Sequence, residues 1–135
     1  MATSDNVLRA GLTPKARDVA NLVSSLTYSS SDPSKHIVQP THASTSPSHT
    51  LIYDPPIPEF TVSKTTLDRS EREIFRKIAG PSVVIITHGT GRFEAQELEE
   101  LKVQTGNVLF VGAGIETSVI SGEEGIEMFR AFVEA

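Results

Sequence analysis

The chain has 135 residues, 38% hydrophobic and 21% charged, enough for one domain with its own core and too few for two. A formal net charge of -5 argues against a general nucleic-acid surface, and the absence of cysteine excludes disulfides and thiolate metal sites in this chain. No apolar run approaches the ~18 residues of a membrane span, and MATSDNVLR lacks the basic start and apolar stretch of a signal peptide, so a cytoplasmic protein without membrane contact is expected.

Thr13 suits a helix N-cap and Pro14 a first helical position, where the missing N–H costs nothing. Val19, Leu22, Val23 and Leu26 then recur at helical spacing, which predicts a helix from Pro14 to about Leu26. Residues 29–50 hold seven serines, three threonines and three prolines, too polar to offset chain entropy by burial. They are expected to be loop, with a short extended piece at Ile37–Val38.

From Leu51 the pattern becomes β. LIYDPPIPEF carries three prolines and reads as an extended, poorly paired connection, with Asp54-Pro55-Pro56 a turn. Phe60–Leu67 alternates and is β-branched, as in a strand. Asp68–Ile78 supports either a capping box at Ser70 and Glu73 or an alternating strand. Ser82–Thr87 is a continuous apolar run, typical of a buried strand, and HGTGR after it reads as a hairpin turn. Glu97, Glu99 and Glu100 read as a solvated charge run. Val108–Val111, Thr117–Ser121 and Met128–Val133 follow as strands, divided by turns at Gly112–Gly114 and Gly122–Gly125. The expected organisation is therefore residues 1–28, a loop 29–50 and a β-domain 51–135.

Gly106-Asn-Val-Leu-Phe-Val-Gly-Ala-Gly114 resembles the second motif of the cupins: a glycine, five residues, Pro-X-Gly, two residues and a metal-binding His. Gly106 and Gly114 match its glycines, Gly112 replaces the proline, and Thr117 stands at the His position. The resemblance implies a mainly β, cupin-like jelly roll preceded by one α-helix. A hydroxyl is no substitute for imidazole on a transition metal, so the β-domain is expected to carry no metal site. His36, His42 and His49 lack the close spacing that preorganises ligands, and His88 reads as a strand-end residue. HGTGR and GAG open no helix and precede no GK[ST], so neither is a phosphate loop.

The segment Ser4-Asp-Asn-Val-Leu-Arg-Ala-Gly-Leu-Thr-Pro-Lys15 sets Asp5, Arg9 and Lys15 around a glycine turn and a helix start. From the residues alone it is either an ordinary capped helix with surface charges or an anion site. All twelve residues are similar to the signature of the type I mannose-6-phosphate isomerases. The likeness continues through Asp18-Val19 and Leu22, Tyr53–Phe60, Gly80-Pro-Ser82 and Phe129–Val133. It implies a zinc-dependent aldose–ketose isomerase that interconverts mannose 6-phosphate and fructose 6-phosphate, feeding GDP-mannose synthesis. It further implies a catalytic role for Arg9, a substrate-phosphate role for Lys15 and an acidic position in the same pocket for Asp5. The family's zinc ligands, a Gln, two His and a Glu, precede the signature and have no counterpart in this sequence. The expectation is a C-terminal region whose partner is a missing catalytic domain and which is inactive alone. A free-standing cupin-like binding module is the alternative.

Overall fold

A computed structural model describes residues 8, 14, 16–44, 49–95 and 98–133, the side chains of residues 98 and 99 excepted. The chain divides into two compact units, Met1–Ile37 and Val38–Ala135.

In the first unit, α1 spans Val19–Ser25, later in the chain than the sequence predicts. Its N-cap is Asp18, which accepts the Asn21 backbone N–H at 3.1 Å and the Asn21 side-chain amide at 2.6 Å. Aspartate directly before the first apolar-periodic residue satisfies the first turn, so the helix starts there. The expected cap, Thr13, lies outside the described residues, and Pro14 is an exposed bend rather than a first helical residue. Leu26 ends α1 in an extended conformation, its N–H returning to the Val23 carbonyl. No residue of α1 is buried, with Val19 and Val23 more than half exposed. A seven-residue helix with an uncovered apolar stripe has little intrinsic stability. One 3-10 turn follows at Pro33–His36, capped by Asp32.

The second unit is an antiparallel sheet of eight strands among the described residues: β1 (Thr41–His42), β2 (Thr50–Tyr53), β3 (Thr61–Leu67), β4 (Arg72–Phe75), β5 (Ser82–Ala95), β6 (Leu98–Gln104), β7 (Val108–Val111) and β8 (Thr117–Phe132). Strands β5 and β8 pair along nearly their whole length. Around their first and last halves respectively, β7 joins β5 and β3, β2 and β1 extend from β8. Around the other halves, β6 joins β5 and β4 joins β8. The long ribbon is thus shared by two groups of strands, and its register shifts between Ile86 and Gly91 mark the change from one to the other.

Those shifts explain why HGTGR is not the expected turn: it lies inside β5, and Gly122–Gly125 likewise lies inside β8. Gly89 has φ +78, and a Cβ there would collide with the Gly125 carbonyl oxygen. Gly125 has φ +75, and its Cβ would come 2.6 Å from the Leu67 carbonyl oxygen. Glycine here lets a continuous strand bend and two backbones meet, rather than reverse the chain.

Other expectations shift for similarly local reasons. The extended piece lies at Thr41–His42, not Ile37–Val38, because Thr41 and His42 face Ile52 and Leu51 across a ladder. Thr50–Tyr53 is a paired strand, since the prolines begin only at Pro55 and leave its N–H groups free to bond. Asp68–Ile78 resolves as a turn followed by β4, with Glu71 accepting the Asp68 N–H at 2.8 Å. The expected strand at Phe60–Leu67 forms as β3 from Thr61 on, with inward Ser63, Thr65 and Leu67. The apolar run at Ser82–Thr87 is buried on one face only: Val84 and Ile86 point inward, while Val83 and Ile85 are exposed.

The core comprises Leu67, Val84, Ile86, Val119, Ile126 and Met128, each at most 2% exposed and together drawn from β3, β5 and β8. Burying each such side chain contributes about 1.5–3 kcal/mol. On the outer side, Lys64 pairs with Glu127 at 2.7 Å and Thr87 donates to Glu127 at 3.0 Å. The lysine hydrogen bond first, then the threonine, hold the Glu127 carboxyl below its ordinary value of 4.5. That stabilisation is present above the ordinary value and is lost as pH falls through the lowered folded value. Thermal melts from about pH 6 to about pH 3 are expected to fall more steeply for the parent chain than for Glu127→Gln. Equal slopes would remove the pair from the acid response.

Candidate functional site

Arg9, Lys15 and Asp5, the residues singled out from the sequence, all lie outside the described residues. The histidines do not converge. His36 shares a 2.7 Å hydrogen bond with Ser31, His49 lies 3.5 Å from Glu71, and His42 and His88 are exposed. Among the described residues no three of His, Cys, Asp and Glu are grouped to hold a metal ion. Thr117, at the cupin His position, is buried with no hydrogen-bond partner for its Oγ1 among the described residues. A lone neutral hydroxyl does not make a zinc site, so the described residues do not fit that metal.

The described polar groups gather instead inside the β-domain, at one end. Thr50 and Thr65 share a 2.8 Å hydroxyl contact, and the Thr50 hydroxyl donates to Glu73 Oε1 at 3.3 Å. Glu73 is buried whereas its neighbour Ile74 is 56% exposed, the reverse of what hydropathy alone dictates. Arg130 stands opposite Ser63 on one side and Val84 on the other, facing inward at 3% exposure. Its Nε–H donates to Ser82 Oγ at 2.9 Å, and its guanidinium lies 5.9 Å from the Phe75 ring centroid. Burial, and then the nearby charge of Arg76, push the Arg130 pKa down from its ordinary value. These side chains surround a cavity of about 160 Å³ with apolar walls at Ile52, Phe75, Ile78 and Phe132.

Sequence reasoning missed this cluster, although one signal was there. Met128, Arg130 and Phe132 alternate, so a strand that buries the methionine and phenylalanine buries the arginine with them. On the opposite face of the same strands, Val83, Ile85, Val108 and Phe110 are 46%, 42%, 61% and 75% exposed. Their registers, Val83 against Phe110 and Ile85 against Val108, place them side by side as one apolar outer surface.

A family model described as "Phosphomannose isomerase type I C-terminal" matches residues 50–95. A mannose-6-phosphate isomerase of Cryptococcus neoformans is 47% identical over all 135 residues of this chain, which cover 31% of that protein. The chain matches the C-terminal region of the type I phosphomannose isomerases. It spans about a third of the length of the curated relatives it matches. Mannose 6-phosphate isomerase from Salmonella typhimurium, solved bound to fructose 6-phosphate and zinc, superposes with a TM-score of 0.74 at 22% identity, covering 100% of this chain and 32% of that one. The cupin domain of Schizosaccharomyces pombe Cnp3 aligns with a TM-score of 0.55 at 11% identity, covering 64% and 66% respectively. The chain therefore has the expected mainly β, cupin-like fold preceded by a helix. Among its described residues, no helix is long and apolar enough to cross a membrane.

Proposed function

We propose that this chain is the C-terminal region of a mannose-6-phosphate isomerase, an aldose–ketose isomerase joining mannose 6-phosphate to fructose 6-phosphate. The carrying observation is 47% identity along the entire chain to a protein of that name. In this reading Arg9 is catalytic. As a proton leaves C2 of the open-chain aldose, negative charge gathers on the enediolate oxygens. A fixed, always-charged guanidinium stabilises that charge more than it stabilises the neutral carbonyl. Lys15 holds the substrate phosphate as a point charge, which fixes the sugar relative to Arg9. Asp5 belongs to the same pocket. The Salmonella relative is solved with zinc, and in this reading the remaining part of the isomerase supplies the metal's ligands.

Two uncovered apolar surfaces support a larger partner, the remaining part of the isomerase. One is the stripe of α1, the other the Val83, Ile85, Val108 and Phe110 face. Contiguous apolar surface of this kind marks an interaction site. The test is a coupled isomerase assay of the purified 135-residue chain with added zinc, beside sedimentation of Phe110→Asp. Negligible turnover, with self-association of the parent chain that Phe110→Asp relieves, is expected. Turnover close to that of a complete relative would overturn the assignment of the zinc site to other residues.

A further inference from the structure

The interior cavity of the β-domain uses none of the residues assigned to the isomerase reaction, and its central feature is an incompletely matched charge. Arg130 is 3% exposed, and among the described residues its one hydrogen bond runs from Nε–H to Ser82 Oγ. No carboxylate pairs with it among the described residues. Among the described residues neither amino group of the guanidinium has a hydrogen-bond acceptor, and Arg130 forms part of the cavity wall. A buried arginine in that condition is costly, and the cost is offset when an anion accepts from the planar fork.

The surroundings narrow the anion. Among the described residues Arg130 is the deep cation of the cavity, and the Glu73 carboxylate beside it disfavours an anion of higher charge than a carboxylate. Ile52, Phe75, Ile78 and Phe132 supply apolar walls that would gain nothing from an inorganic ion. The volume of about 160 Å³ is close to the ~150 Å³ of an engineered apolar cavity that takes up benzene. Exposed Ser44, Ile74 and Arg76 stand at the rim, while Arg130, Ser63 and Glu73 are deep.

We propose that this cavity binds a small organic carboxylate, its two oxygens on the Arg130 amino groups and its hydrocarbon part against Ile52, Phe75 and Phe132. The site uses none of the residues assigned above to the isomerase reaction and gives the β-domain a ligand of its own.

Isothermal titration of the full chain with butyrate and benzoate tests it, with inorganic phosphate and chloride at matched ionic strength as controls. Saturable binding of a carboxylate is expected, with phosphate weaker by about tenfold or more. Arg130→Met is expected to weaken butyrate about tenfold to a hundredfold by removing the charged donors. Ile52→Phe keeps Arg130 and fills the apolar half of the cavity. It is expected to abolish binding, and it decides the matter if Arg130→Met does not fold. Absence of saturable binding to the parent chain would overturn the proposal. So would folded Ile52→Phe or Arg130→Met binding butyrate as the parent does, or phosphate binding as tightly as butyrate.

Discussion

Arg9→Ala is expected to lower kcat by about a hundredfold to a thousandfold, the usual cost of removing a donor aimed at a developing oxyanion. The measurement needs a complete active site, supplied by a chimera in which this chain replaces the matching third of the Cryptococcus neoformans enzyme. In the proposed role the guanidinium acts on charge that exists only in the transition state, so KM for mannose 6-phosphate should change little. Arg9→Lys should recover only part of the loss, since an ammonium lacks the planar fork that spans two oxygens. Lys15→Ala should do the opposite, raising KM more than it lowers kcat, because phosphate binding is common to ground and transition states. A loss below about threefold for Arg9→Ala would take this residue out of the reaction.

The second large effect is on stability. Gly89→Ala is expected to cost about 3–4 kcal/mol or to prevent folding, from left-handed backbone strain together with a Cβ driven into the Gly125 carbonyl. Gly106→Ala is its control. Gly106 has φ +89 yet nothing within 4 Å of its would-be Cβ, so only the backbone strain, about 1–2 kcal/mol, should appear. Urea unfolding of the two variants separates strain from collision. Equal costs would show that the close approach of β5 and β8 at their bend relaxes freely. The loss at Gly89 matters because the bend brings the two groups of strands over one core, and a domain's whole stability is only about 5–15 kcal/mol.

The sequence reveals composition and strand-forming segments more readily than it reveals how far each strand runs. Thr61–Leu67 alternates, and its pattern is enough to place Thr65 and Leu67 inside. The glycines of HGTGR and of Gly122–Gly125 carry the same local signal whether a chain reverses or bends. Only the partner strand distinguishes the two, and here Gly89 and Gly125 lie against each other across the ladder. Helix α1 is legible in type but not in start, because Asp18 and Thr13 are both good caps and nearest-neighbour geometry chooses. Glu73 and Ile74 exchange their expected sides because β4 takes its register from β8, where Glu73 meets Val119 and Ile74 meets Ser118. The cluster around Arg130 is assembled from β2, β3, β4, β5 and β8, which no local pattern brings together. The N-terminal signature is the reverse case. The chemistry proposed for it rests on a resemblance over twelve residues, most of them outside the described residues.

The most direct test of the central reading is kcat/KM for mannose 6-phosphate in the chimera, beside the parent Cryptococcus enzyme and that enzyme with its matching third deleted. The chimera is expected to retain activity within about tenfold of the parent, and the deleted form to have none. A chimera that folds and loads zinc yet turns over no faster than the deleted form would contradict that reading.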